Sequence, residues 1–246
     1  MLNYALDKIL FLDIETVPQT ASLDDLSADL QHLWIDKFNV IKARMPEKYD
    51  EKATPEYGYQ HGAGIYAEFA KVVCISVGII YFKGKTICLR TKSFAGHDEA
   101  QILADFARMV DKFMVSSQHC MCGHNIKEFD IPFLSRRMLI NGITIPSGMD
   151  VCGKKPWETT FIDTLDLWKF GDYKNYTSLK LLTAVFGIPT PKDDIDGSQV
   201  ADVYYDENDV KRISIYCEKD VVATTQVFLR IVGHNIISAV NIEHVE

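Results

Sequence analysis

The chain has 246 residues, 47% of them hydrophobic and 24% charged, with a formal net charge of −8. These are ordinary globular values, and the acidic balance argues against a protein that coats nucleic acid regardless of sequence, which is normally basic. No apolar run reaches the roughly 18 residues of a membrane span, and the first residues lack the basic start of a secretory signal, so a cytoplasmic chain without a membrane partner is expected.

In chain order, Ile9–Leu12 is an apolar run that reads as a buried strand, closing on Asp13-Ile14-Glu15-Thr16. A polar segment at about 18–66 follows and reads as an insertion between the first two strands of a single domain spanning 1–246. Within it, Leu26, Leu30, Leu33 and Phe38 recur near helical spacing, so a helix over about 23–38 is expected, and 47–64 reads as loop around Pro55. Residues 72–81 form a β-rich run, 82–85 a turn and 86–92 a second strand, which together predict a hairpin. Asp98 opens a helix with Ile102, Leu103, Phe106, Val110 and Phe113 on one face.

Residues 120–124 read as a short strand, 131–141 as a helix closed by Gly142, and 161–167 as a strand or a strand-to-helix passage. Ser178 is an N-cap for 179–186, residues 189–199 read as polar loop, and the last strong helix covers about 209–232. The terminal thirteen residues show no pattern. This order predicts an α/β fold, a mixed central sheet with helices on both faces. The six cysteines include no C-x-x-C pair and read as buried, reduced thiols.

Three groups of residues stand out chemically. Asp13 and Glu15 are two apart on a strand, so they share a face at roughly 6–7 Å. Two carboxylates there repel by roughly 2–3 kcal/mol at an effective dielectric near 20, and a bound cation turns that repulsion into attraction. The second group is Gly123-His124-Asn125-Ile126-Lys127-Glu128-Phe129-Asp130. Asp130 starts a helix, where the macrodipole favours a carboxylate; alone it also reads as a simple helix-start residue, and Asn125 as turn chemistry. The third is Tyr216-Cys217-Glu218-Lys219-Asp220, in which Tyr216 and Asp220 lie one turn apart on the inward side of the last helix. Buried carboxylates are rare unless paired or metal-bound; a buried Tyr–Asp hydrogen bond is the alternative.

Together, Asp13-x-Glu15, Asn125-x4-Asp130 and Tyr216-x3-Asp220 resemble the three motifs of the DEDD 3′–5′ exonucleases, in the DnaQ-like branch of the ribonuclease H-like superfamily. A Tyr four residues before the last Asp is similar to the tyrosine subclass, DEDDy, and the whole looks closest to free-standing bacterial proteins similar to the family B DNA polymerase proofreading domain. The resemblance runs from Ile9 to about Leu229.

It implies a ribonuclease H-like fold and phosphodiester hydrolysis at a nucleic-acid 3′ end with two Mg²⁺ or Mn²⁺ ions. It also implies that Asp13 touches both ions, that Glu15 and Asp220 complete the site of the water-activating ion, and that Asp130 holds the second. Tyr216 would orient the attacking water; with a phenolic pKa near 10 it is a poor base at neutral pH. Oxygen ligands suit Mg²⁺ or Mn²⁺. Asn125, Phe129 and Thr16 are candidate substrate contacts, although Phe129 also reads as core.

Lys127, Lys180 and Lys192 are candidate phosphate contacts, and Asp163 reads as a supporting, structural acid. From Gly123 to Lys192 nine Lys/Arg face seven Asp/Glu, a local +2 against −10 elsewhere, weak support for a substrate-facing side. Single-stranded DNA is the expected substrate. An RNA-trimming exonuclease and a catalytically idle nucleic-acid-binding module of the same fold are the alternatives.

Overall fold

The structure, a computed structural model, describes residues 4–155, 158–172, 176–189 and 195–245. The apolar N-terminal run forms β1 (Ile9–Pro18). After the insertion come the hairpin strands β2 (Ala70–Lys83) and β3 (Thr86–Ala95), then β4 (Cys120–Gly123), the short β5 (Ile162–Asp163) and β6 (Ile242–Val245). Among the described residues they make one sheet, in the order β5-β4-β1-β2-β3-β6. β2 runs antiparallel to β1 and β3, whereas the β1–β4, β4–β5 and β3–β6 pairs are parallel.

The two faces of β1 explain its continuous apolar sequence. Leu10, Leu12 and Ile14 point into a core shared with α3 (Glu99–Phe113) and α4 (Asp130–Ile140). Ile9 and Phe11 point the other way, against Val221 and Phe228 of α8 (Val210–Ile231). A central strand covered on both faces has no polar face to show. Asp13 and Glu15 continue the α8-facing register, so the apolar stripe becomes an acidic one where β1 nears its end.

The expected helices begin where their caps predict: Asp98 accepts from the Gln101 amide, Ser178 from Leu181 and Asp209 from Arg212. The insertion differs from expectation. Its helix is offset, with a 3₁₀ turn at Leu23–Asp25 and α1 at Ala28–Arg44. The stretch expected to be loop contains α2 (Pro55–Gly62), because Pro55 occupies the first helical turn behind a Thr54 cap. Trp34, Phe38, Tyr49 and Tyr59 give the insertion its own small core, and its far end is tied to β1 by the Thr16 hydroxyl donating to the Gly64 carbonyl at 2.7 Å.

Two further elements, α7 (Val200–Tyr205) and β6, went unread in the sequence, whereas α5 (Thr164–Lys169) realises the helical end of the 161–167 passage. α5 starts directly after β5, leaving α6 (Leu179–Val185) as the Ser178-capped helix, and α7 follows the polar loop. The patternless tail supplies β6, which adds to the edge of β3. Backbone pairing, rather than side-chain alternation, places β6, and Gln226 secures the approach by bonding both the amide and the carbonyl of Ile237 at 2.8 Å. Lys192 lies outside the described residues.

Candidate active site

The candidate site forms where three elements meet: the acidic end of β1, the start of α4, and the N-terminal half of α8. Oxygen atoms of Asp13 and Glu15 and the sulfur of Cys217 lie within 4.8 Å of one another. Glu15 is buried and Asp13 partly so. Burial, followed by the charges of Asp220, Glu15 and Asp130, holds the Asp13 carboxyl well above its ordinary range, against a lowering contribution from the Cys217 thiol. Burial and then Asp220, Cys74 and Asp130 do the same to Glu15. Asp130 is pushed up to about 7, mainly by burial, although its own amide and that of Ile14 oppose the rise. The three sequence groups are therefore brought into one electrostatic neighbourhood.

Such a cluster repels itself when ionised, and either protonation or a bound cation relieves it. Hard oxygen donors fit Mg²⁺ or Mn²⁺. Cys217 does not alter that reading: burial, Cys74 and the nearby carboxylates hold its thiol well above the ordinary range, so it stays protonated and acts as a donor.

Tyr216 and Asp220 are half-buried on α8, on either side of Cys217 and Glu218. Tyr216 packs against the cluster formed by Val17, Val73, Val200 and Ile213. Asn125 adopts a left-handed conformation with φ 65°, and the loop it begins is fixed by Asp163. One Asp163 oxygen accepts from the amides of Asn125 and Leu165 at 2.9 Å, and the other from Lys127 at 3.3 Å. The supporting role read for Asp163 thus has a concrete form.

Phe129 is half-buried against Phe133, with ring centroids 5.4 Å apart, and the Thr16 hydroxyl is engaged with Gly64. Lys127 forms an ion pair with Asp166 at 3.1 Å, whereas Lys180 is exposed on α6.

Sequence reasoning missed several neighbours of the site. Cys217 sits 3.4 Å from both the main-chain oxygen and Oδ2 of Asp13; its place directly after Tyr216, one turn before Asp220, was the available signal. Glu218 accepts from Thr91 and Ser93 of β3 at 3.0 and 2.8 Å and pairs with His244 of β6, bracing the other flank of α8. His124 contacts the Thr164 hydroxyl and the Thr177 carbonyl at 2.9 Å. That anchors the segment bearing Tyr176, an exposed ring whose phenol is raised by burial and then by Asp163, Asp130 and Glu128.

No curated protein sequence matches the chain. Among solved structures, a family B DNA polymerase from the hyperthermophilic archaeon Pyrobaculum calidifontis is similar, with a TM-score of 0.52 and 16% identity over 90% of this chain. At that identity the likeness concerns the fold, a ribonuclease H-like α/β arrangement, and this chain spans 24% of the polymerase's length. Asp130, Tyr216 and Asp220 fall inside the stretch that matches a family model, residues 65–238, and Asp13 and Glu15 precede it. That model is described as a predicted 3′-5′ exonuclease related to the exonuclease domain of PolB, and the chain belongs to this family.

Proposed function

We propose that the chain removes nucleotides from 3′ ends, preferentially of single-stranded DNA, with Asp13, Glu15, Asp130 and Asp220 holding two Mg²⁺ or Mn²⁺ ions. The observation that carries the proposal is the gathering of acids from three elements: after burial, Asp220 and Asp130 both raise Asp13 and Glu15, and Glu15 also raises Asp13, while Asp130 is itself raised by burial. A cluster of like charges drawn from three separate elements makes sense as a cation site. Bound divalent ions supply positive charge that polarises the phosphodiester and lowers the pKa of water.

The residues of the chain do the rest. Asp13, raised by both Glu15 and Asp220, would serve both ions. Tyr216 orients the attacking water through its hydroxyl. Asn125 and Phe129 border the substrate at the start of α4, and Thr16 does so at the end of β1. The whole chain acts as one exonuclease domain, with the 18–66 insertion attached at the acidic end of β1. The six free thiols suit a reducing, cytoplasmic setting, and no helix among the described residues is long and apolar enough to cross a membrane.

The test uses oligonucleotides labelled at either end, single-stranded DNA beside RNA, with Mg²⁺, Mn²⁺ or chelator. Expected is stepwise shortening of DNA from the 3′ end, lost with chelator and with Asp13→Ala. Faster cleavage of RNA would favour the trimming reading. Tight binding without cleavage under either metal would favour the idle binding module and refute the enzyme.

A further inference from the structure

Two thiols lie against the two carboxylates of β1. Cys217, fully buried on α8, places its sulfur 3.4 Å from Asp13 Oδ2 and 3.4 Å from the Asp13 carbonyl. Cys74 faces Glu15 across the β1–β2 ladder, acts on the Cys217 thiol, and lies 3.6 Å from the Ser76 hydroxyl. The Ser76 hydroxyl in turn meets that of Ser93 at 2.7 Å, and Ser93 donates to Glu218. Cys217 is therefore held at the level of Asp13 by a line of contacts crossing β1, β2 and β3 beneath α8.

We propose that Cys217 is a positioning residue for Asp13: its S–H donates to both the main-chain oxygen and Oδ2, fixing the carboxylate and leaving its other oxygen to a cation. This deepens the metal-dependent reading above and rests on it. Groups that orient a ligand from behind commonly set metal affinity, and losing one costs about 10–100-fold. A thiol suits the place. It is a weak donor, so it can hold the carboxylate without competing strongly for its charge, and it packs as a small apolar group against Val17, Val73 and Ile213.

The test compares the parent with Cys217→Ser, which keeps a donor, and Cys217→Ala, which does not. Mn²⁺ binding to chelator-stripped protein is followed by calorimetry, with thermal unfolding in chelator as a control for the fold. The Ala variant should bind Mn²⁺ about 10-fold more weakly or worse, whereas the Ser variant stays within about 3-fold of the parent, as expected when the donor is kept. Cleavage by the Ala variant should lose kcat with KM for the oligonucleotide unchanged. Should Cys217→Ala not fold, Cys217→Val fills the space without a donor and takes its place.

Equal Mn²⁺ affinity in all three proteins overturns the role while leaving the exonuclease reading intact, and equal weakening in Ser and Ala reduces Cys217 to packing. A sulfur-to-metal charge-transfer absorption on adding Cd²⁺ to the parent, absent in the Ser variant, would make the sulfur a ligand and overturn the donor role. A parent that binds no Mn²⁺ overturns both this inference and the function on which it rests.

Discussion

Replacing Asp130 by asparagine should stabilise the metal-free protein while abolishing its activity. The carboxyl ordinarily titrates at 3.8 and is pushed up to about 7 in the fold, first of all by burial. In the unfolded chain it ionises first, so this group draws stability away as pH rises from about 4 to about 7, after which the loss is constant. At about 1.36 kcal/mol per pH unit, the loss amounts to roughly 2 kcal/mol at pH 5 and roughly 4 kcal/mol at pH 8. Asp130→Asn removes this pH-dependent penalty at nearly constant volume. It also relieves Asp13 and Glu15, on both of which Asp130 acts.

The assay is urea unfolding in chelator at pH 5 and pH 8. The variant's advantage over the parent should be larger at pH 8 by about 2 kcal/mol, whatever fixed cost the amide itself brings. Saturating Mn²⁺ should then narrow the gap, because ligand at 100 times its Kd stabilises the parent by about 2.7 kcal/mol. An advantage equal at the two pH values, or none at pH 8, would refute the claim that burial and neighbouring acids destabilise this carboxylate.

Other residues give separable outcomes. Tyr216→Phe should lower kcat by about 10- to 100-fold through lost orientation of the water, with Mn²⁺ affinity unchanged by calorimetry; a matching loss of affinity would make the phenol part of the metal site. Arg137→Ala should cost about 3–5 kcal/mol, because Arg137 binds Glu99 through two nitrogens and the Ala67 carbonyl at 2.8 Å, clamping α3, α4 and the approach to β2. Scanning calorimetry should place its unfolding midpoint roughly 10 °C lower. Gly58→Ala would put a methyl 2.0 Å from the Phe38 ring, and overpacking of that kind costs about 1–3 kcal/mol. Limited proteolysis should then cut first within the 18–66 insertion.

The parts of the fold that were legible in sequence share a property: one local pattern determines each of them. β1 and the hairpin are long apolar or β-branched runs, and α3, α6 and α8 carry both a cap and a face. The candidate site was legible for a different reason: Asp13, Glu15 and Asp220 conflict with the buried positions that the pattern assigns to them, whereas Asp130 suits a helix start and joins them only through the resemblance. The missed elements depend on distant partners. β6 is four residues long with half-exposed ends, and it is a strand because the β3 edge is there to pair with. α2 was misread because Pro55 signals a break inside a helix and a start at its first turn, and only the Thr54 cap distinguishes the two. Cys217 looked like any buried cysteine because sequence does not reveal which side chain lies across the sheet.

The same register that builds the core also builds the site. Along the α8-facing side of β1, Ile9 and Phe11 meet Val221 and Phe228, and two residues further on the partners become Asp13 and Cys217. Helix and strand therefore cross from hydrophobic packing to charge within about one helical turn. Burial of the apolar half fixes the relative position of β1 and α8, so the carboxylates cannot spread apart to relieve their repulsion. That explains why three of them are raised together rather than one relaxing into solvent. On this argument a cavity made far from the acids, such as Phe228→Ala, should weaken Mn²⁺ binding as well as stability, because it loosens the contact that holds α8 against β1.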